Sequence, residues 1–391
     1  MNRVIPGYLS AGLLILLGGC GGSAAAEAGA AVLGPQWRLS PSPVVSIGVV
    51  DGAPEYQLLY VRGATRLSDG RIAILNGGSH SYFLYDRGGR FLRSVGRKGQ
   101  GPGEFEVPMW MGRAAGDSVV VWDQKLKRLS FFAPDGTLAR VTSASNAAGT
   151  AGMFPELVGI FPDGSVALDP GPDVMAMMRG QRGLRRDSIT LHRLAKDGTD
   201  AGPLARLAGD EAFVTERQGG FAWNDRPFGS QSFAALSGER LYVGDSGTGE
   251  IAIYSPDGRR VGAFRSPHPS WRVHPDDVER YRERKLAPIT VQERRREMEA
   301  AIREAPVPET SPTFAELLAD AQGNVWVQAY ARPAADTVPW AVLAPDGRAV
   351  GALRVPRDLK LLEVGGEYVL GLRTDEVGVE RVEMYAVERG S

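Results

Sequence analysis

The stretch Phe233–Phe264, FAALSGERLYVGDSGTGEIAIYSPDGRRVGAF, holds four short apolar runs separated by turn residues. The same unit returns near Leu67, Val119, Val166, Val325 and Val369. One such unit cannot bury its own two faces, whereas several packed radially can. The repeat therefore predicts a β-propeller.

Blade one runs from about Ala64 to Gly96, with turns at Asp69-Gly70, Asn76 to Ser81 and Arg87-Gly88-Gly89. It aligns without a gap on the stretch above and sets Asn76 against Asp245. Blade two repeats the pattern through VVVWD, RLSFF and Pro134-Asp135-Gly136. In all three, the second-strand Asn or Asp stands eleven residues before the first residue of the third turn. Blade three starts at Val158 and reaches its third strand, SITLHRL, only after the insertion Pro170 to Arg186. Blade four is the opening stretch, and blade five carries a shorter insertion, Ala331 to Asp336. Blade six (LKLLEV, EYVLGLR, RVEMYAV) stops one strand short, while the run from Pro43 to Val49 precedes blade one without a partner. Placed as the outer strand of blade six, that run closes the ring and removes an exposed edge. The expected fold over 43–391 is thus all-β, a six-bladed β-propeller closed by an N-terminal strand.

Loop length distinguishes the two sides of the disc. The side holding the first and third hairpin turns carries mainly tight two-residue or Pro-Asp-Gly turns. The extra length lies on the other side, in Arg97 to Pro108, Pro170 to Arg186, Ala208 to Ser230, Arg265 to Thr313 and Ala331 to Asp336. Long loops on a rigid scaffold are where binding and catalysis concentrate. The largest insertion, about 268–313 between blades four and five, reads as a helical hairpin. His274-Pro275-Asp276-Asp277 opens its first helix, and Thr290-Val291-Gln292-Glu293 is a capping box for its second.

The balance of 45 Lys+Arg against 46 Asp+Glu provides no field to recruit nucleic acid or an anionic bilayer. At the N-terminus, Arg3, the apolar run Leu13 to Leu17 and Leu17-Gly18-Gly19-Cys20 resemble the bacterial lipoprotein signal. That resemblance implies removal of residues 1–19, lipidation of Cys20 and, with Gly21 beside it, an outer-membrane address with the membrane touched through the lipid alone. Residues 20–42, rich in small side chains, read as a flexible tether. Cys20 is the only cysteine, so the exported body has no disulfide.

The glycine-rich tract Gly96 to Phe105, with Lys98 inside it, lacks the Gly-Lys-Ser/Thr ending of a phosphate loop and leads from strand to strand. With Pro108 it resembles the inter-blade link of NHL-type propellers. Blade pattern and lipobox together resemble six-bladed propeller lipoproteins of bacteria, most closely in blades one, two and four. Gly244-Asp245-Ser246-Gly247 reproduces the tetrapeptide around the serine of trypsin-like proteases, but it fills a blade turn and no His and Asp accompany it. Four histidines offer no zinc spacing.

Two functional readings remain. In one, a non-catalytic envelope module holds a protein, peptide or glycan on its loop-rich face, through Lys98, Arg179, Arg182, Arg186, Trp223, Phe228 and Trp271. Arginine forks suit acidic groups and aromatics suit sugars or peptide anchors. This reading needs no cofactor. In the other, Asn76, Asp123 and Asp245 form part of a channel ring for Ca²⁺ or another divalent cation, and the protein is a hydrolase or lyase of the lactonase-like type.

Overall fold

The computed structural model describes residues 34–145, 147, 154–173, 182–217 and 220–390. Cys20, Arg179 and the signal segment lie outside these residues. The fold is mostly β, with several antiparallel four-stranded sheets in a propeller-like arrangement. The first sheet comprises Val61–Arg66, Ile72–Asn76, Ser81–Tyr85 and Phe91–Val95, and the second Pro108–Arg113, Val119–Asp123, Arg128–Phe132 and Leu138–Ser143. The third comprises Glu156–Ile160, Val166–Asp169, Ile189–Leu194 and Asp200–Leu207. Ser232–Ser237, Arg240–Asp245, Glu250–Tyr254 and Arg260–Arg265 make the fourth; Phe314–Ala319, Val325–Ala329, Thr337–Leu343 and Ala349–Pro356 make the fifth.

The last sheet, Leu359–Val364, Tyr368–Thr374 and Glu380–Arg389, takes its outer edge from the N-terminal strands Trp37–Leu39 and Val45–Ile47. Val45 lies opposite Met384 and Ile47 opposite Val382; further along the same strand, Trp37 lies opposite Arg389. The tether expected to reach residue 42 therefore gives way to paired strand at Trp37. Its indole is buried against Trp326 and Leu353, and a Cβ on Gly351 would meet the ring at 2.2 Å. A three-residue strand is too short to display a period, so composition alone reads it as linker.

The first strands of these sheets contact one another in sequence order, and Leu359–Val364 returns to touch Val61–Arg66. Buried apolar clusters fill the spaces between successive sheets. Leu75, Tyr82, Val121 and Phe132 join the first to the second, while Ile47, Ile74, Leu370 and Val382 join the last to the first. Alternating strand residues supply both faces, so each sheet is covered on either side. In five first strands the register slips, four paired residues before the turn at Val61/Gly63, Pro108/Trp110 and Phe314/Glu316, and two before it at Leu157/Gly159 and Leu361/Glu363. Such bulges bend the strand and re-aim the side chains that follow.

The tight-turn side repeats one device. In most of these turns a glycine N–H donates to the carbonyl three residues earlier, as with Gly136 to Ala133 (2.8 Å), Gly258 to Ser255 (2.9 Å) and Gly347 to Ala344 (2.8 Å). Those glycines have φ of 86°, 80° and 85°, which other residues rarely adopt. The long connections meet on the other side, where Thr313 N–H donates to Ser246 O (2.9 Å) and Arg226 Nε to Pro306 O (2.8 Å).

Two of the insertions expected as loops form strand instead. Gly183–Arg186, Glu211–Arg217 and Gly220–Asp225 make a separate three-stranded sheet, with Phe213 opposite Asn224 and Val214 opposite Trp223. The alternation in EAFVTER supports a ladder once FAWND lies beside it. The large insertion holds α1 (Pro275–Leu286) and α2 (Gln292–Glu304). Asp277 accepts from the His274 N–H (3.0 Å), closing the expected start of α1. The cap expected at Thr290 is not made: the N-cap falls on Val291, without a side-chain bond. A turn from Leu286 to Ile289 delays the helix by one residue, and Arg295 Nη1 donates to Leu286 O (2.6 Å) beneath it. Among the described residues no helix is long and apolar enough to cross a membrane.

Candidate binding site

Phe228 is the centre of the loop-rich side. It is buried at a φ of 55°, a strained value for a bulky residue, and three other aromatics hold it there. Its ring centroid lies 5.9 Å from Trp271, 5.1 Å from Tyr281 and 6.3 Å from Tyr330. Trp271 Nε1 donates to Tyr330 O (2.7 Å), so a residue before α1 is fixed to the connection leaving Val325–Ala329. Arg332 stacks over the Trp271 ring at 4.3 Å and donates to Asp277 (2.5 Å), anchoring the start of α1 to that connection. Each aromatic pair at such distances contributes about 0.5–1.5 kcal/mol beyond its buried area.

This cluster forms one wall of a cavity of about 310 Å³ between α1 and the fifth sheet. Phe228, Tyr281, Tyr330, Ala315, Pro333 and Val338 supply its apolar lining, and Arg284, Lys285 and Arg357 its charge. Burial, followed by repulsion from Arg284, holds the Arg357 guanidinium below its usual range. Burial pushes the Tyr330 phenol up to about 12 and the Tyr281 phenol upward as well, so both keep their protons at neutral pH. The site can thus offer two neutral hydroxyl groups and three cations, of which Arg284 and Lys285 stand exposed to solvent.

Of the residues singled out from sequence, Phe228 and Trp271 come together here. Trp223 lines a second cavity of about 460 Å³ with Asp173, Asp187, Asp210 and Asp225. Arg185 stacks over the Trp223 ring (5.3 Å), and Arg182 pairs with Glu216. Arg186 is engaged by Asp245 at 2.8 Å. Lys98 sits in the link between the first two sheets, bridged to Phe105, and lines neither cavity. Tyr281, Tyr330, Arg284 and Arg357 were missed as site residues. Tyr281 was legible only as a helix position, and nothing in sequence brings Tyr330 and Arg357 beside it.

Asn76, Asp123 and Asp245 accept backbone N–H groups, Asp123 and Asp245 partly from their own turns and Asn76 from the segment leading into the first strand. Asn76 Oδ1 accepts from Leu59 N–H (2.9 Å). Asp123 accepts from Glu106 N–H (2.6 Å), Val107 N–H (3.1 Å) and Leu126 N–H (2.9 Å). Asp245 accepts from Gly247 N–H (2.9 Å) besides Arg186. Among the described residues no three His, Cys, Asp or Glu side chains group as a metal site. His268 is buried, with Nε2 2.9 Å from Val327 O, and burial holds its pKa below the usual value.

Acids on the first strands form a separate feature. Glu316, which follows the bulge in the fifth sheet, is pushed up to about 7 by burial, with Lys360 acting in the opposite sense. Glu156 is raised by burial and by Asp169; Asp210, in the connection after Asp200–Leu207, is raised by burial.

No family model and no curated protein matches this chain. Among solved structures, it is similar to a DUF4221 family member from Bacteroides vulgatus at 9% identity, covering 91% of this chain and 99% of that one, with a TM-score of 0.49. A gluconolactonase from Xanthomonas campestris aligns at 13% identity over 84% of this chain and 87% of its own, with a TM-score of 0.42. Virginiamycin B lyase from Staphylococcus aureus aligns at 11% identity over 90% and 99%, with a TM-score of 0.42.

Proposed function

We propose that the protein is a six-bladed propeller of the bacterial envelope, anchored through Cys20, that binds a small molecule or peptide side chain on its loop-rich side. The observation that carries this reading is the cavity between α1 and the fifth sheet, walled by Phe228, Tyr281 and Tyr330. Cavities that mix apolar walls with a few convergent polar groups are the usual form of a ligand site. Closure of the ring by Val45–Ile47 supports the reading, because it makes the sheets a rigid frame for the helical pair. The anchoring part rests on Leu17-Gly18-Gly19-Cys20. Radiolabelled palmitate incorporation that disappears in Cys20→Ala is the outcome expected for it.

A thermal-shift screen of small organic acids, amines and sugars tests the binding part. Compounds that raise the Tm of the wild type are expected to lose their effect in Tyr281→Ala and Tyr330→Ala. Shifts that persist in both variants, or a screen in which nothing shifts the wild type, would contradict the reading.

A further inference from the structure

We propose that the cavity between α1 and the fifth sheet takes a small organic anion bearing an aromatic ring; this rests on the binding reading above and adds the charge class to it. Arg284, Lys285 and Arg357 line the cavity, and among the described residues no carboxylate does. Arg357 is oriented by neutral partners: Nε donates to Ala335 O (2.6 Å) and Nη2 to Arg332 O (2.7 Å). Arg284 likewise donates to a carbonyl, that of Pro333. Carbonyl oxygens aim a guanidinium fork without neutralising it. Lys285 has a weak counter-charge in Asp225 at 4.0 Å, and Asp336 attracts Arg357 from an exposed position outside the lining. The two guanidinium groups therefore repel one another across partly desolvated space, and a bound anion relieves that repulsion.

The rest of the lining sets the body of the ligand. Phe228, Tyr281 and Tyr330 present aromatic surface, and a planar ring stacks there at little entropic cost. At about 310 Å³ the cavity lies near the small end of ligand sites, which run from about 300 to 1,000 Å³. A polyphosphate or an extended glycan does not match walls of this size and polarity. A carboxylate or sulfonate on one or two rings does.

Two dyes separate charge from ring. 1-Anilinonaphthalene-8-sulfonate carries the anion; N-phenyl-1-naphthylamine has the same ring frame without it. Fluorescence titration of the mature chain is expected to give one saturable site for the sulfonate, weakened at least about tenfold by Arg284→Gln/Lys285→Gln and by added salt. The neutral dye is expected to bind more weakly and equally well to both proteins. Arg284 and Lys285 are exposed, so the double variant should keep the fold, which its unfolding curve checks. Equal affinity for the two dyes, or a double variant that binds the sulfonate as the wild type does, overturns the anion class and leaves the binding site standing. Saturable binding of neither dye overturns both.

Discussion

Val45 and Met384 face each other in the antiparallel ladder that joins the start of the described fold to its end. Two residues on, Ile47 is buried among Ile74, Leu370 and Val382, in the cluster between the last sheet and the first. The strand thus does two things: it completes one sheet and fills the seam with the next. Ile47→Ala is expected to lower unfolding free energy by about 2–4 kcal/mol. Val44, just before the strand and 56% exposed, is expected to lose less than about 0.5 kcal/mol as Val44→Ala. Urea denaturation of both variants checks the contrast.

Asp123 accepts from two backbone donors of the link between the first two sheets, Glu106 and Val107, and from Leu126 in its own turn. Its removal leaves those partly buried N–H groups without their acceptor, so Asp123→Ala is expected to cost about 1–3 kcal/mol. If the role is structural, exhaustive treatment with EDTA leaves the Tm of the wild type unchanged. A fall in Tm restored by Ca²⁺ would revive the divalent-cation reading.

Glu316 links stability to pH. Its carboxyl titrates near 7 in the folded chain against an ordinary value of 4.5, so the native state holds the proton more tightly than the unfolded state does. Its contribution is fully present below about pH 4.5 and is lost as pH rises through about 7, by up to about 3 kcal/mol. Glu316→Gln removes this dependence. The variant is expected to gain on the wild type between pH 5 and pH 8, read as the difference of two denaturation series, about 2–3 kcal/mol at the upper end.

Gly351 and Trp37 test where the tether ends. A side chain at 351 collides with the indole, so Gly351→Val is expected to cost about 1–3 kcal/mol. With Trp37→Ala already in place the same substitution should cost measurably less, and a double-mutant cycle gives the coupling.

The sheets were legible because their cue is local and repeated. Apolar runs, turn glycines and the fixed distance from Asn76, Asp123 and Asp245 to the next turn sit within each unit. The partner of Val45–Ile47 was legible by elimination, as one strand lacked a sheet and one sheet lacked a strand. Trp37–Leu39 was not, being too short to carry a period. Gly183–Arg186 and Glu211–Arg217 were not either, because each becomes a strand only when the other lies beside it. The site divides in the same way. Phe228 and Trp271 were visible as aromatics on long loops, while Tyr330 and Arg357 look like ordinary strand-end residues until the fold carries α1 over them.

The most direct measurement is a crystal structure of the protein grown with a compound that raises its Tm. Ligand density between Tyr281 and Tyr330, within reach of Arg284 and Arg357, is the result expected. Density on the opposite side, against the turns of Gly136, Gly258 and Gly347, would contradict the account.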